Sequence, residues 1–457
     1  MNFSVDIELQ RDEQMRERRQ RRDAVTERHA GLQVDSEQAD LVGDLQLHGG
    51  EDMICGVYTP LLDAIDARTP EMIERLRRWS EINSGTYHLG GLEEMLAELR
   101  EAFAPLGGEM REVELPPATS IDSRGETVST PLGNALVIRK RPEASLRVLL
   151  VIHYDTVFPP DSPFQKTEMT NDDTLRGPGV ADAKGGIIVM LDALAALEAS
   201  PWAQRIGWEV ILNSDEEIGS VGSAALLKEA AARNHLGLVF EPAWADGSIV
   251  GPRKGSGNYT VIVRGRAAHA GRDFEKGRNA IVALAELIER VSKSPPPGVI
   301  INCGHVEGGG PATNIVPDLA IARFNVRVTE PAEQLQVFTS FDAAARELRL
   351  RDGITVELEG GFTSPPKPLD GRSKTLLDHI LTCGRELGMN LGVVASGGTC
   401  DGNKLAAAGL PVVDSLGPVG GELHSDREYL RISTLSQRAK MTALLLMKLA
   451  SGEITPP

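Results

Sequence analysis

The sequence predicts an α/β protein: a mixed, largely parallel sheet flanked by helices, with a smaller α+β unit of four antiparallel strands and two helices inserted into it. Three observations point there. Continuous aliphatic and β-branched runs, VLLVI ahead of His153, WEVIL ahead of Asn213 and a shorter one over 236–240, lack polar alternation, and strands of that kind are covered on both faces, as in a parallel sheet. Residues 252–366 instead carry a β-α-β-β-α-β order between turn-rich boundaries, Gly251-Pro252 and Pro365-Pro366-Lys367-Pro368, the pattern of a compact sandwich. The chain has 457 residues, 41% of them hydrophobic, which suits two cores better than one.

The elements follow in order. Residues 1–60 form a charged N-terminal extension in which acids interleave with arginines, as in 11–22, and little can bury a helix face; a solvated helix or disordered arm is expected. Residues 61–251 are the first part of the larger domain. Thr69-Pro70-Glu71 supplies a cap, a first-turn proline and an early acid for a helix to Glu81. Helical apolar spacing follows over 92–104, with strands over 134–139 and 147–152. The alanine- and leucine-rich 185–199 is apolar nearly all round and should pack on the sheet, followed by a helix at 221–232 and the strand ending at Glu241. In the inserted unit, strands are expected at 259–264, 299–307, 319–328 and 355–359, and helices at 278–292 and 331–348. Residues 367–457, with helices at 375–387 and 433–450 and a buried strand at 412–415, complete the larger domain.

Composition excludes several functions. A formal charge of −17 disfavours nucleic acid and an anionic membrane surface as partners. Cys55, Cys303, Cys383 and Cys400 are scattered without a CxxC pair, as reduced thiols are. Neither a bilayer-spanning run nor the apolar core of a signal peptide is read in the chain, so a cytoplasmic protein is expected.

The polar residues gather around 148–217 and its sequel. His153 and Asp155 end one buried run; Asp182 lies in a glycine-rich loop, Glu216 and Glu217 follow the next run, Glu241 ends the third, and His424 lies in GELHSD. The carboxyl ends of parallel strands are where open α/β sheets bind ligands, and imidazoles with a shared carboxylate are the donors that a pair of divalent cations accepts. Taken singly, each residue has a plainer reading. A histidine after a strand can be structural, and a Glu-Glu pair can be a solvated helix start.

HYDTVFP, GPGVADAKGG, NSDEEIGS, FEPA, GRAAHAG, TNIVP, SGGTCDGN and GELHSDREYL, in this order, resemble the di-zinc amidohydrolase and exopeptidase family. Its members include carboxypeptidase G-type glutamate carboxypeptidases, aminoacylase, acetylornithine deacetylase and succinyl-diaminopimelate desuccinylase. The resemblance implies a zinc-exopeptidase-like fold with two zinc ions per subunit, cobalt or manganese being the alternatives. His153, Asp182 and Glu241 would hold one ion, and Asp182, Glu217 and His424 the other. Glu216 would be the general base toward water, Asp155 would orient His153, and the Asp182–Ala183 peptide would be cis. The inserted unit would be a lid and homodimerisation domain whose His269 reaches a partner's active site to stabilise the oxyanion. Asn314, Arg327, Gly397 and Gly398 would contact a small anionic amide or peptide substrate. The implied reaction is hydrolysis of an N-acyl amino acid or small peptide, glutamate carboxypeptidase-like, with deacetylase or desuccinylase action as the alternative. Residues 359–365 lack the arginine that the carboxypeptidase branch offers to substrate. Two other readings are an inactive metal-binding relative and a metal-independent hydrolase using Cys400 near His424.

Overall fold

A computed structural model describes residues 56–293 and 295–457, so the expectation for the charged extension falls almost wholly outside the described residues. The largest sheet among them has six strands in the order Glu109–Val113, Ala135–Lys140, Ile206–Asn213, Leu146–His153, Leu236–Val239 and Val412–Val413. The last four pair parallel, and Ala135–Lys140 alone is reversed, antiparallel to both of its neighbours, giving the mixed, largely parallel sheet that the uninterrupted apolar runs imply.

Side chains alternate across a strand, and here both faces are covered. Leu136, Ile138, Val148, Leu150 and Ile152 join one core with the helices Gly186–Ala199 and Ser433–Ser451. Ala135, Val137, Leu149 and Val151 join another with Ala224–Arg233 and Leu405. Burial on two sides removes any solvent face from Ile206–Asn213, all eight residues of which are buried. No described helix is long and apolar enough to cross a membrane.

The second sheet is wholly antiparallel, in the order Ile300–Gly308, Leu319–Val328, Gly255–Arg264 and Thr355–Ser364. Its own apolar cluster packs one face against the helices Ala280–Lys293 and Pro331–Arg349. The strand expected over 355–359 runs on to Ser364, because Gly360 lets it pass the neighbouring strand: at φ +91°, an added Cβ would lie 2.2 Å from Asn258 O. Gly397 and Gly398 lead into a helix, since Asp401–Ala407 is helical and capped by Cys400 and Asn403. Short antiparallel pairs escaped the sequence periodicity. One of them, Tyr429–Arg431 against Thr174–Arg176, brings the segment after His424 beside the turn that carries Asp182.

Gly186 begins a helix where it crosses the chain leading to Glu241. A Cβ there would meet Phe240 O at 2.0 Å. Alanine normally stabilises a helix by about 1 kcal/mol over glycine, yet Gly186→Ala should destabilise this protein by roughly 1–3 kcal/mol through overpacking against backbone. Chemical denaturation checks the sign, and a gain in stability would contradict this packing.

Candidate metal centre

The parallel register brings three strand ends into line. His153 and Asn213 are paired positions at the ends of neighbouring strands, with Glu216 and Glu217 in the turn beyond. Glu241 lies two residues past the strand on the other side. The glycine-rich turn before Gly186–Ala199 adds Asp182, at a cis peptide with Ala183. His153 Nε2 is 3.1 Å from Asp182 Oδ1 and 3.8 Å from Glu241 Oε2. His424 Nε2 is 3.4 Å from Asp182 Oδ2 and 3.2 Å from Glu217 Oε2. Asp182 thus faces an imidazole on each side, one oxygen to each. Ligand atoms of His153, Asp182 and Glu217 lie within 4.8 Å of one another.

Asp155 is completely buried and more heavily used than its sequence position suggests. Its carboxylate lies 3.3 Å from His153 Nδ1, accepts from Thr86 Oγ1 at 2.7 Å, and accepts from the backbone N–H groups of Glu216 and Glu217 at 3.2 and 3.3 Å. One carboxylate therefore fixes an imidazole and the turn bearing two acids. Asp215 closes that turn from behind, accepting from Gly222 N, Ser223 N and Ser223 Oγ. His424 is held in the left-handed region at φ +59°, a conformation that costs energy for a non-glycine residue and clusters at functional sites.

The electrostatics are those of crowded negative charge. Burial and the neighbouring acids push Glu241 up to about 8 and Glu216 well above the carboxylate range. Glu217 is raised too, by burial and then by Asp182. Although burial opposes both shifts, hydrogen bonds to Asp155 and Asp182 hold His153 high, and bonds to His153 and His424 hold Asp182 low. Contacts with Asp182 and Glu217 lift His424 to about 10. The cluster gathers protons to offset its own charge, and divalent cations would replace them. Glu241 Oε1, buried and without a hydrogen-bond partner, is the kind of lone pair a cation satisfies. The imidazole and carboxylate donor set fits zinc.

The other expected residues are placed differently. Gly398 lines the same cavity, of about 410 Å³, as Asp182, Glu216, Glu217, Glu241 and His424, while Gly397 is exposed. His269 and Asn314 are exposed and lie side by side, with Ala270 N donating to Asn314 O at 2.9 Å; neither lines the cavity. Arg327 is half-buried and donates from Nε to Asn325 Oδ1 at 2.9 Å. Among the described residues it forms no ion pair. Cys400 is buried and its thiol is pushed well up by that burial, which opposes a nucleophilic role.

Residues not foreseen complete the surroundings. Glu428 accepts from the N–H groups of Gly179, Ala181 and Asp182 at 3.1, 2.9 and 3.0 Å and so pins the turn that presents Asp182; its place four residues after His424 in GELHSDREYL was the available signal. Asp401 accepts from Asn213 Nδ2 at 2.8 Å and from Ser220. Arg253 borders the cavity and shares the buried Asp414 with Lys367, at 2.7 and 2.8 Å.

Comparison with known proteins returns one consistent answer. The profile described as Peptidase family M20/M25/M40 matches residues 149–448. Carboxypeptidase G2 of Pseudomonas sp. (strain RS-16) is 29% identical over 398 residues, covering 86% of this chain and 92% of that one. A succinyl-diaminopimelate desuccinylase of Nitrosospira multiformis is 28% identical over 335 residues, covering 68% and 86%. Among solved structures, the di-peptidase Dug1p of Saccharomyces cerevisiae superposes with a TM-score of 0.67 at 14% identity, over 88% of this chain and 99% of its own; that likeness is one of fold.

The proton-laden cluster sets a pH dependence. For Glu241, raised from 4.5 to about 8, the associated stability is present below the ordinary value and lost as pH rises through about 8. For His424, raised from 6.5 to about 10, it is lost over that higher window in the same direction. Chelated protein should therefore show a falling Tm from about pH 5 to about pH 8, and added zinc should raise Tm more at the higher pH. Differential scanning calorimetry with and without zinc tests this. A zinc effect largest at pH 5 would contradict it.

Proposed function

Because the chain belongs to peptidase family M20/M25/M40 and is a metal-dependent hydrolase of peptide or amide bonds, we propose that His153, Asp182 and Glu241 hold one divalent cation and Asp182, Glu217 and His424 a second. Zinc is the metal proposed, with cobalt or manganese as alternatives. The observation that carries this reading is the sharing of Asp182 between two imidazoles, with Glu216 on the same cavity wall.

When bound, the cations polarise the scissile carbonyl and lower the pKa of the attacking water. Glu216 takes the proton of that water and passes it to the departing amine. Burial and the Glu241 charge, which favour the protonated form of Glu216, suit it to hold the proton between those two steps. Asp155 keeps His153 and the Glu216–Glu217 turn in register. Residues 252–366 act as a lid and homodimerisation domain, and His269 of one subunit stabilises the oxyanion formed in the other. The exposed position of His269, away from the cavity of its own chain, fits action in trans.

The substrate proposed is an N-acyl amino acid or small peptide with a free carboxylate. Two cations, Arg253 and Lys367, share the single carboxylate of Asp414, which leaves positive charge behind the cavity wall. Asn314, Arg327, Gly397 and Gly398 supply further contacts. Carboxypeptidase G2 and the desuccinylase among the relatives bracket the reaction, exopeptidase cleavage or deacylation. The unpaired thiols of Cys303, Cys383 and Cys400 fit a reducing compartment, the cytoplasm.

Two experiments test the roles. Glu216→Gln should lower kcat by about 10²–10⁴ or more while leaving bound zinc unchanged by elemental analysis; near-normal turnover would remove Glu216 from its role. His269→Ala and Glu216→Gln proteins, each inactive alone, should regain about a quarter of wild-type activity when dissociated and reassociated together, since one site of each mixed dimer is intact. No recovery in verified mixed dimers would place His269 outside the partner's site.

A further inference from the structure

Glu241 is followed by Pro242, Ala243 and Trp244, and the indole of Trp244 lines the same cavity while remaining 49% exposed. The other tryptophans are placed otherwise: Trp79 and Trp208 are buried and Trp202 is half-buried. An aromatic ring left against water forgoes the burial that its area offers. This exposure is enforced by the surrounding chain. Ala243 N donates to Pro418 O at 2.9 Å, Trp244 N to Ser248 O at 3.2 Å and Gly247 N to Trp244 O at 2.7 Å. Arg431 and the fully buried Arg438 each donate to a carbonyl of the turn, those of Ala245 and Gly247, both at 2.6 Å. A loop braced by two arginines presents the ring. Leu423, one residue before His424, lines the cavity with 39% of its surface exposed. Arg253, Ser396, Gly398 and Thr399 supply polar groups to the same lining.

We propose that Trp244 and Leu423 form a subsite for an aromatic or branched aliphatic side chain, so that the preferred substrate is an N-acyl derivative or small peptide of an apolar amino acid and not of glutamate. This rests on the hydrolase reading above and assigns its specificity. Trp244 and Leu423 take the side chain, and Arg253 with Ser396 and Thr399 takes the carboxylate. Four acids, Asp182, Glu216, Glu217 and Glu241, border the cavity, and a second substrate carboxylate set against the indole face or Leu423 would gain a hydrogen bond from neither.

The test uses zinc-loaded, full-length enzyme with N-acetyl-phenylalanine, N-acetyl-leucine, N-acetyl-glycine and N-acetyl-glutamate. Wild type should favour phenylalanine and leucine, and Trp244→Ala should narrow the phenylalanine-to-glycine ratio of kcat/KM by roughly tenfold, mainly through KM, with Trp244→Phe restoring it. A ratio unmoved by Trp244→Ala, or a wild-type preference for glutamate, would overturn the subsite. Fluorescence supplies a readout independent of turnover. Phenylalanine added to wild type should shift tryptophan emission to the blue, and the shift should vanish in Trp244→Phe. No shift, or a blue shift that follows protein concentration without ligand because a second copy covers the ring, would also overturn it. Loss of all hydrolysis in wild type alongside an intact fluorescence response would fault the hydrolase reading and leave the subsite standing.

Discussion

Four carboxylates, Asp182, Glu216, Glu217 and Glu241, border one cavity with His424, and His153 lies against Asp182, so like charges are forced together in a largely buried setting. At an effective dielectric constant of about 20, two such charges 4 Å apart repel by roughly 4 kcal/mol. The raised carboxyls and the raised imidazoles are two responses to that same crowding. Protons relieve it partly, and divalent cations would relieve it further. The same demand explains why Asp182 offers one oxygen to each side and why Glu241 keeps a buried oxygen without a partner.

Holding such a cluster requires a frame that cannot relax, and the hydrogen-bond pattern supplies one. Asp155 reaches His153 and the backbone of Glu216 and Glu217, Asp215 closes the turn beneath them, and Glu428 ties the peptide groups on the way to Asp182. Each of these acids is itself buried and bonded mainly to N–H and O–H groups, so it orients without adding a metal ligand. The parallel strands beneath are buried on both faces, which leaves their carboxyl ends as fixed points. A site of this construction acts by preorganisation, because little need move when charge develops.

Much of the fold was legible because its signals are local. Uninterrupted apolar runs marked the strands ending at His153 and Asn213, and the order of elements over 252–366 marked the second sheet. His153, Asp182, Glu217, Glu241 and His424 stood out through motifs quoted in order, not through any one spacing. What escaped depends on contacts between distant segments. Glu428 lies 246 residues from the Asp182 N–H that it holds, and no periodicity records that. The helix at Asp401 was not among the expected elements, being only 7 residues long and preceded by two glycines. Trp244 carried no polar signal, and its significance lies in exposure, which a sequence does not display. The short strand pairs around 168–176 and 420–431 are too brief for alternation to show, yet one of them brings the segment after His424 beside the Asp182 turn.

The account depends on five side chains gathering two cations on either side of one carboxylate. Anomalous diffraction at the zinc absorption edge from crystals of the zinc-loaded protein tests this directly. Two peaks should flank Asp182, one also bonded by His153 and Glu241 and the other by Glu217 and His424. A single peak away from Asp182, or none at these five residues, would contradict it.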